Sequence, residues 1–201
     1  MLTFEELEKQ PEIRLDLGSG IFPRTGFVGV DNFEGKLVQL LGSGHSQDDL
    51  HKVVSDKPII DWNLLQGIPL RDHSVSEIST SHFVEHFPNL DFLFQEIHRI
   101  LVPQGILTIV VPYAQSVEGL YPGHSLFFTE RWFQENALFQ KLFGIESVSF
   151  TYSEYFEQLQ PHQKAMLNAI FPGDSLRHLL FNVCKEMTLV SRSRKNRVGG
   201  R

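Results

Sequence analysis

The chain has 201 residues, of which 41% are hydrophobic and 21% are charged, and this suits a single globular domain that buries roughly 70% of its unfolded surface. Its apolar runs are far shorter than the roughly 18 residues of a membrane-spanning helix, and its single cysteine, Cys184, excludes an internal disulfide. Residues 1–10 contain three glutamates and no apolar core, the reverse of a secretory signal. We therefore expect one domain at residues 1–192 of a cytoplasmic protein, with no membrane partner.

The net charge of −6 is unevenly distributed along the chain. Five basic residues lie within the last ten, which leaves 13 basic against 24 acidic side chains in the rest. An acidic body repels polyanions, which disfavours nucleic acid as a partner. We predict that residues 193–201 form a flexible basic tail. No feature of the sequence indicates an oligomeric state.

Short apolar runs alternate with longer segments of helical periodicity. The predicted strands span residues 13–17, 27–30, 58–61, 75–81, 105–112, 145–152 and 183–191. Such alternation is typical of the α/β class. It predicts a Rossmann-like, mainly parallel sheet with helices on both faces.

The clearest predicted helix spans residues 90–101, where apolar side chains recur on one face. Asn89 or Asp91 is available as its N-cap, and Pro103 and Gly105 follow as stop signals. This face is expected to cover the sheet.

Two further helices are predicted in the second half of the chain. One begins at Thr129 and is expected to bury Trp132, Phe133 and Ala137. The other lies within residues 154–171.

Polar residues follow five successive predicted strands. In open parallel sheets, ligands bind beyond the carboxyl ends of the strands, so these positions are candidate binding residues. They are Asp16, Asp31, Asp61, Ser81 with His82, and Pro112 with Tyr113.

The first of these strand ends leads into a glycine turn. Gly18 and Gly20 flank Ser19 after Asp16, and they allow a sharp turn with backbone amides open to a ligand. The dinucleotide-binding fingerprint requires a third glycine where this chain has Pro23. A pyrophosphate ligand is therefore disfavoured.

The next two strand ends carry carboxylates suited to a nucleoside. Asp31, followed by Asn32, can accept hydrogen bonds from both ribose hydroxyls, although an aspartate there also suits a surface turn. Asp61 can accept from an adenine amino group, while Trp62 and Asn63 offer apolar and polar surface beside it. A core position for Trp62 is an equal alternative.

Six motifs follow one another along the chain: Asp16–Gly20, Gly29–Asp31, Asp61–Leu64, Ile68–Asp72, Ser81–Phe87 and Glu96–Gly105. In this order they resemble the class I methyltransferases of the type 11 group, which use S-adenosylmethionine (SAM), over roughly residues 12–128.

The resemblance implies SAM as cofactor and a set of binding residues. The loop from Gly18 through Ser19 to Gly20 would contact the methionine part, Asp31 the ribose and Asp61 the adenine. By position, the expected set is completed by Asp16, Asn32, Trp62, Asn63, Ser81 and His82. The family's strand order also implies that residues 183–191 lie antiparallel at the end of the sheet, beside residues 145–152.

Two departures from the family pattern stand out. Only Ile21–Gly26 separate the glycine turn from the second strand, which leaves no room for the usual first helix and implies a compact form. Residues 33–57 are an added segment, either a local helix over the cofactor or a surface insertion.

His82, Glu85 and His86 also match H-x-x-E-H, a pattern of zinc proteases that places its residues on one helix. Because the pattern directly follows a strand and lies within the methyltransferase motif order, we expect no metal site.

For the reaction, SAM supplies an activated methyl group, and the protein has mainly to orient an acceptor in line with it. His82, His124 and Tyr113 are the candidate catalytic residues, and His86 is a further candidate base. The favoured function is methyl transfer to a small-molecule or sugar-type acceptor. A non-catalytic SAM-binding protein and an RNA or protein methyltransferase are the alternatives.

Overall fold

A computed structural model describes residues 2–33 and 57–195. The predicted added segment lies outside the described residues except for its ends, Phe33 and Lys57. Ser193 ends the last strand, so ordered structure continues past the predicted boundary at residue 192, while residues 196–201 are not described. Within the described ranges, no helix is long and apolar enough to span a membrane.

Seven strands form one sheet in the order β3-β2-β1-β4-β5-β7-β6. The strands are β1 (Arg14–Leu17), β2 (Val28–Asp31), β3 (Ile59–Asp61), β4 (Val75–Ser81), β5 (Leu101–Pro112), β6 (Phe143–Tyr152) and β7 (Cys184–Ser193). Strands β1 to β5 pair in parallel, and β7 pairs antiparallel with both β5 and β6. The α/β class and the mainly parallel sheet with antiparallel pairing at one end are confirmed. Strand β6, beyond β7, forms the edge.

Seven α-helices and two short 3₁₀ turns are present in the described chain. The helices are α1 (Phe4–Leu7), α2 (Leu90–Ile100), α3 (Glu130–Glu135), α4 (Ala137–Leu142), α5 (Glu154–Glu157), α6 (Pro161–Ile170) and α7 (Ser175–Leu179), and the 3₁₀ turns are Leu64–Gln66 and Val84–His86. The predicted N-cap of α2 is confirmed, since the Asn89 side chain accepts from the Phe92 amide at 3.1 Å.

The helix predicted from Thr129 is divided in two, and the expected burial of Ala137 is wrong. Asn136 leaves the helical conformation, and its side chain accepts from the Phe139 amide at 2.8 Å as the N-cap of α4. Because α4 starts again at this cap, its buried side differs from that of one continuous helix. Phe139 is therefore buried and Ala137 is exposed. Pro161 similarly starts α6 at its first turn, which divides the predicted third helix.

The main core lies on one face of the sheet. In β5, Leu107, Ile109 and Val111 are fully buried, whereas Thr108 and Val110, on the opposite face, are partly exposed. The buried set belongs to one hydrophobic core with α2, α3 and α4. This packing fixes the strands whose carboxyl ends form the site.

No helix occurs between the glycine turn and β2, as the short spacing of Ile21–Gly26 predicts. The turn is instead held by hydrogen bonds to β2. The Gly18 amide donates to the Val30 carbonyl at 2.8 Å. The short connection Ile21–Gly26 thus leaves the glycine turn in place, and no following helix contributes its dipole there.

Candidate functional site

A cavity of about 520 Å³ opens at the carboxyl ends of β1, β2, β3 and β4. Its volume is within the usual range of small-molecule sites. The lining residues are Gly18, Gly20, Asp31, Asn32, Trp62, Asn63, Leu64, Leu65, His82, Phe83, His86, Phe87 and Pro88. Seven of the residues predicted from the sequence for the cofactor site therefore lie around one space.

Gly18 and Gly20 form one wall of the cavity with left-handed backbone angles, φ +71° and φ +55°. Any side chain on Gly18 would also collide with the Phe83 ring. The Phe83 ring thus packs directly on the turn, and only glycine permits this contact.

Asp31 is 6% exposed at the end of β2. Its Oδ2 accepts from the Gly20 amide at 2.8 Å and its Oδ1 from the Asn32 amide at 2.7 Å. Each carboxylate oxygen can accept more than one hydrogen bond, and Asp31 joins the glycine turn to β2 while it lines the cavity.

The residues after β3 divide between the cavity and its surroundings. Trp62 lines the cavity and is anchored by its Nε1, which donates to the Gly67 carbonyl at 2.7 Å. Asn63 lines it too and caps the following 3₁₀ turn. Asp61 is exposed and does not line it; its Oδ1 accepts from the Phe33 amide at 3.1 Å.

Asp16, Ser19 and Ser81 are not brought to this cavity. Asp16 and Ser81 line a separate depression on the polar face of the sheet. Asp16 Oδ2 accepts from the Arg24 amide at 2.8 Å, and burial raises the pKa of Asp16. Ser19 Oγ donates to the Gly20 carbonyl at 3.1 Å. The Asp16 and Ser19 side chains thus bind backbone groups of the segment that follows β1.

Tyr113, predicted as a catalytic candidate, is fully buried. Its hydroxyl donates to Glu130 Oε2 at 3.0 Å and lies 3.2 Å from Nδ1 of His178. Burial and the neighbouring Glu130 carboxylate raise the pKa of Tyr113 strongly. The hydroxyl therefore has a structural partner and no access to an acceptor.

His82 reaches the cavity with a left-handed backbone, φ 50°. Its Nε2 lies 2.9 Å from Oε2 of Glu186 on β7, and its Nδ1 lies 3.7 Å from Glu85 Oε1. The Glu186 carboxylate orients the ring, in the arrangement that prepares a histidine for proton transfer.

His124, the other candidate base, is almost buried beside the cavity. Its ring stands edge to face on that of His86, with centroids 4.7 Å apart. His86 lines the cavity itself. The loop that carries His124 is held to the Val84–His86 turn, because the Ser125 amide donates to the Glu85 carbonyl at 3.0 Å.

The apolar lining of the cavity is not among the residues predicted from the sequence. Leu64 and Leu65 follow the predicted Trp62 and Asn63, and Phe83, Phe87 and Pro88 lie around the H-x-x-E-H segment. The sequence signal for this lining is the presence of apolar residues next to the polar strand ends. Whether their side chains point into the cavity depends on the two 3₁₀ turns, which periodicity does not predict.

A family model described as a methyltransferase domain matches residues 37–109. This match covers the ends of β3 and β4 and the α2 motif, and it begins after the glycine turn and Asp31. A search of curated proteins gives no match.

Solved structures show the same fold at low sequence identity. A SAM-dependent methyltransferase from Archaeoglobus fulgidus superposes with a TM-score of 0.62 at 17% identity, covering 94% of this chain and 89% of that chain. The YcgJ protein from Bacillus subtilis gives 0.57 at 14% identity, covering 96% of both chains. The cyclase SpnF gives 0.57 at 15% identity, covering 96% of this chain and 78% of that chain. The family match and the fold together confirm the resemblance to the class I, type 11 methyltransferases and imply SAM as the cofactor.

Proposed function

We propose that this protein binds SAM in the 520 Å³ cavity and transfers its methyl group to a small-molecule or sugar-type acceptor. The observation that carries the proposal is the convergence of the glycine turn, Asp31, Trp62 and His82 on one cavity. The acidic body of the protein disfavours a polyanionic acceptor.

The residues present fit an adenosyl ligand. Asp31 offers carboxylate oxygens to ribose hydroxyls, and Trp62 with Leu64 and Leu65 offers apolar cover for a base. Gly18 and Gly20 keep the backbone bare where a ligand must approach closely.

When bound, SAM supplies a methyl group already activated for displacement. The chain then has to orient the acceptor in line, which by itself lowers the barrier by roughly 7 to 11 kcal/mol. His82 is the proposed proton acceptor, because it faces the cavity and is oriented by Glu186. His124 does not line the cavity, because the ring of His86 lies between them. We therefore propose a role for His124 on the side where the acceptor binds, and none in binding SAM.

The test is to measure SAM binding by calorimetry and then to screen metabolite extracts for release of S-adenosylhomocysteine. We expect binding, and product release with at least one extract. Failure to bind SAM would overturn the proposal. Binding without product from any extract would support the alternative of a non-catalytic SAM-binding protein.

A His82→Gln variant separates binding from proton transfer. We expect it to retain measurable SAM binding, because the glycine turn, Asp31 and Trp62 are intact, and to release S-adenosylhomocysteine more slowly by about 10²-fold or more at saturating SAM. His73→Gln, an exposed histidine away from the cavity, is the matched control.

A further inference from the structure

Glu85 is the least explained charged residue beside the cavity. Its side chain is 1% exposed, and neither Oε1 nor Oε2 has a hydrogen-bond partner within residues 2–33 and 57–195. A buried carboxylate without donors is costly. A cation held beside this carboxylate would offset that cost.

Imidazole nitrogens surround this carboxylate at distances longer than hydrogen bonds. Nε2 of His124 lies 3.9 Å and Nδ1 of His82 3.7 Å from Glu85 Oε1. One ligand atom each from Glu85, His86 and His124 lies within 4.8 Å of the others. In a tetrahedral zinc site the ligand atoms are about 3.4 Å apart, so small side-chain rotations would close this triad on an ion.

The tautomers of the two histidines suit metal binding. Nδ1 of His86 lies 3.0 Å from the Gly123 carbonyl, and Nδ1 of His124 lies 3.1 Å from the Gly119 carbonyl. Each Nδ1 must carry a proton to make that contact, which leaves the lone pair on Nε2. Metal-binding histidines are commonly oriented by such a hydrogen bond from the second nitrogen to a carbonyl.

We propose that Glu85, His86 and His124 form a binding site for a divalent transition-metal ion. Two imidazoles and one carboxylate are the donor set of catalytic zinc sites, whereas Mg²⁺ prefers oxygen ligands. The site therefore fits zinc. The sequence expectation of no metal site considered His82, Glu85 and His86 on one helix, but a three-residue 3₁₀ turn replaces that helix and His124 completes the set from a distant loop.

The position of the site suggests its use. His86 lines the cavity, and three protein ligands leave coordination positions open. We expect an oxygen of the acceptor, such as a hydroxyl, to bind at an open position. This expectation about the acceptor rests on the proposed function, whereas binding of the metal ion does not.

The test is a zinc titration of chelator-treated full-length protein against a chromophoric chelator, without SAM. The wild type is expected to bind one Zn²⁺ per chain and to show no competition from excess Mg²⁺. Loss of an outer-shell partner lowers metal affinity by roughly 10- to 100-fold. Glu85→Gln and His124→Asn each remove a direct ligand and are expected to lower zinc affinity by more than that. His162→Asn, at an exposed histidine of α6, is expected to bind as the wild type does.

A wild type that binds no zinc, or Glu85→Gln and His124→Asn variants that are folded by circular dichroism and bind zinc as the wild type does, would overturn the metal site. Calorimetry with SAM on the same samples reports separately on the proposed function, so failure of one proposal is distinguishable from failure of the other.

Discussion

The backbone amide of Gly20 donates to Oδ2 of Asp31 at 2.8 Å. This bond ties the glycine turn to the end of β2, across the short connection that replaces a helix. The residue proposed to bind ribose therefore also fixes the backbone proposed to contact the methionine part. Binding and local order are coupled at this carboxylate.

Asp31→Ala is expected to lose roughly 1.5 to 3 kcal/mol of SAM affinity, because charge-assisted hydrogen bonds to the ligand and to the turn are both removed. Calorimetry with SAM measures the loss. Asp91→Ala, at an exposed aspartate in the first turn of α2, should bind SAM normally. Unchanged affinity in Asp31→Ala would remove Asp31 from the site.

Gly18→Ala should abolish detectable SAM binding, because the new methyl group collides with Phe83 in addition to straining the backbone at φ +71°. Gly173→Ala is a matched control, since Gly173 has a similar φ of +63° and an added Cβ there would meet no atom within 4 Å. The control should cost about 1 kcal/mol of stability and no affinity. Equal effects of the two variants on SAM binding would show that the contact with Phe83 is unimportant.

Tyr113→Phe should lower the free energy of unfolding by about 1 to 2 kcal/mol, since Glu130 loses a buried hydrogen-bond donor. SAM affinity and turnover should be unchanged. Urea denaturation and product assays measure the two effects. A loss of turnover with full stability would instead restore the predicted catalytic role of Tyr113.

Arg99 joins two sequence motifs in the fold. Its guanidinium donates to the Ile68 and Leu70 carbonyls at 2.7 and 2.8 Å, and to Glu96 and Asp72 on either side. Arg99→Lys, which cannot reproduce this fork, should lose roughly 1.5 to 3 kcal/mol of stability.

A second arginine provides the control for that substitution. Arg131 pairs with Glu135 on the exposed side of α3, where ion pairs contribute about 0.5 kcal/mol or less. Arg131→Lys should therefore change the urea midpoint little. Similar midpoints for the Arg99 and Arg131 variants would contradict the anchoring role of Arg99.

Stability should fall on acidification through a histidine outside the site. Burial of the ring, with smaller effects of Lys195 and His73, lowers the pKa of His98, which lies on α2, from 6.5 to about 4. The unfolded chain therefore binds a proton more readily than the native chain between these values, and the free energy of unfolding decreases as pH falls from 6.5 towards 4.

His98→Gln should flatten the pH dependence of stability in this window, because the ring that resists protonation is gone. Urea midpoints at pH 7.5 and pH 5 measure the effect. His162→Gln, at an exposed histidine, should retain the wild-type slope. An unchanged slope in His98→Gln would assign the pH dependence to other groups.

The sequence by itself determined the features that depend only on residues close to one another along the chain. The turn at Gly18 and Gly20, the cap at Asn89 and the absence of a helix before β2 follow from backbone freedom, side-chain hydrogen bonding and spacing. The alternation of apolar runs with segments of helical periodicity predicted the α/β class, and it placed Asp31 at a strand end, which lies at the cavity.

Only the tertiary structure decided which side chains share a space. Tyr113 follows a strand as Asp31 does, yet packing against Glu130 buries it, and Asp61 stays outside the cavity that Trp62 lines. Glu85 and His124 meet because the fold returns a distant loop to the end of β4. Such meetings depend on side-chain direction and on contacts between residues far apart in the chain, and neither is encoded in local periodicity.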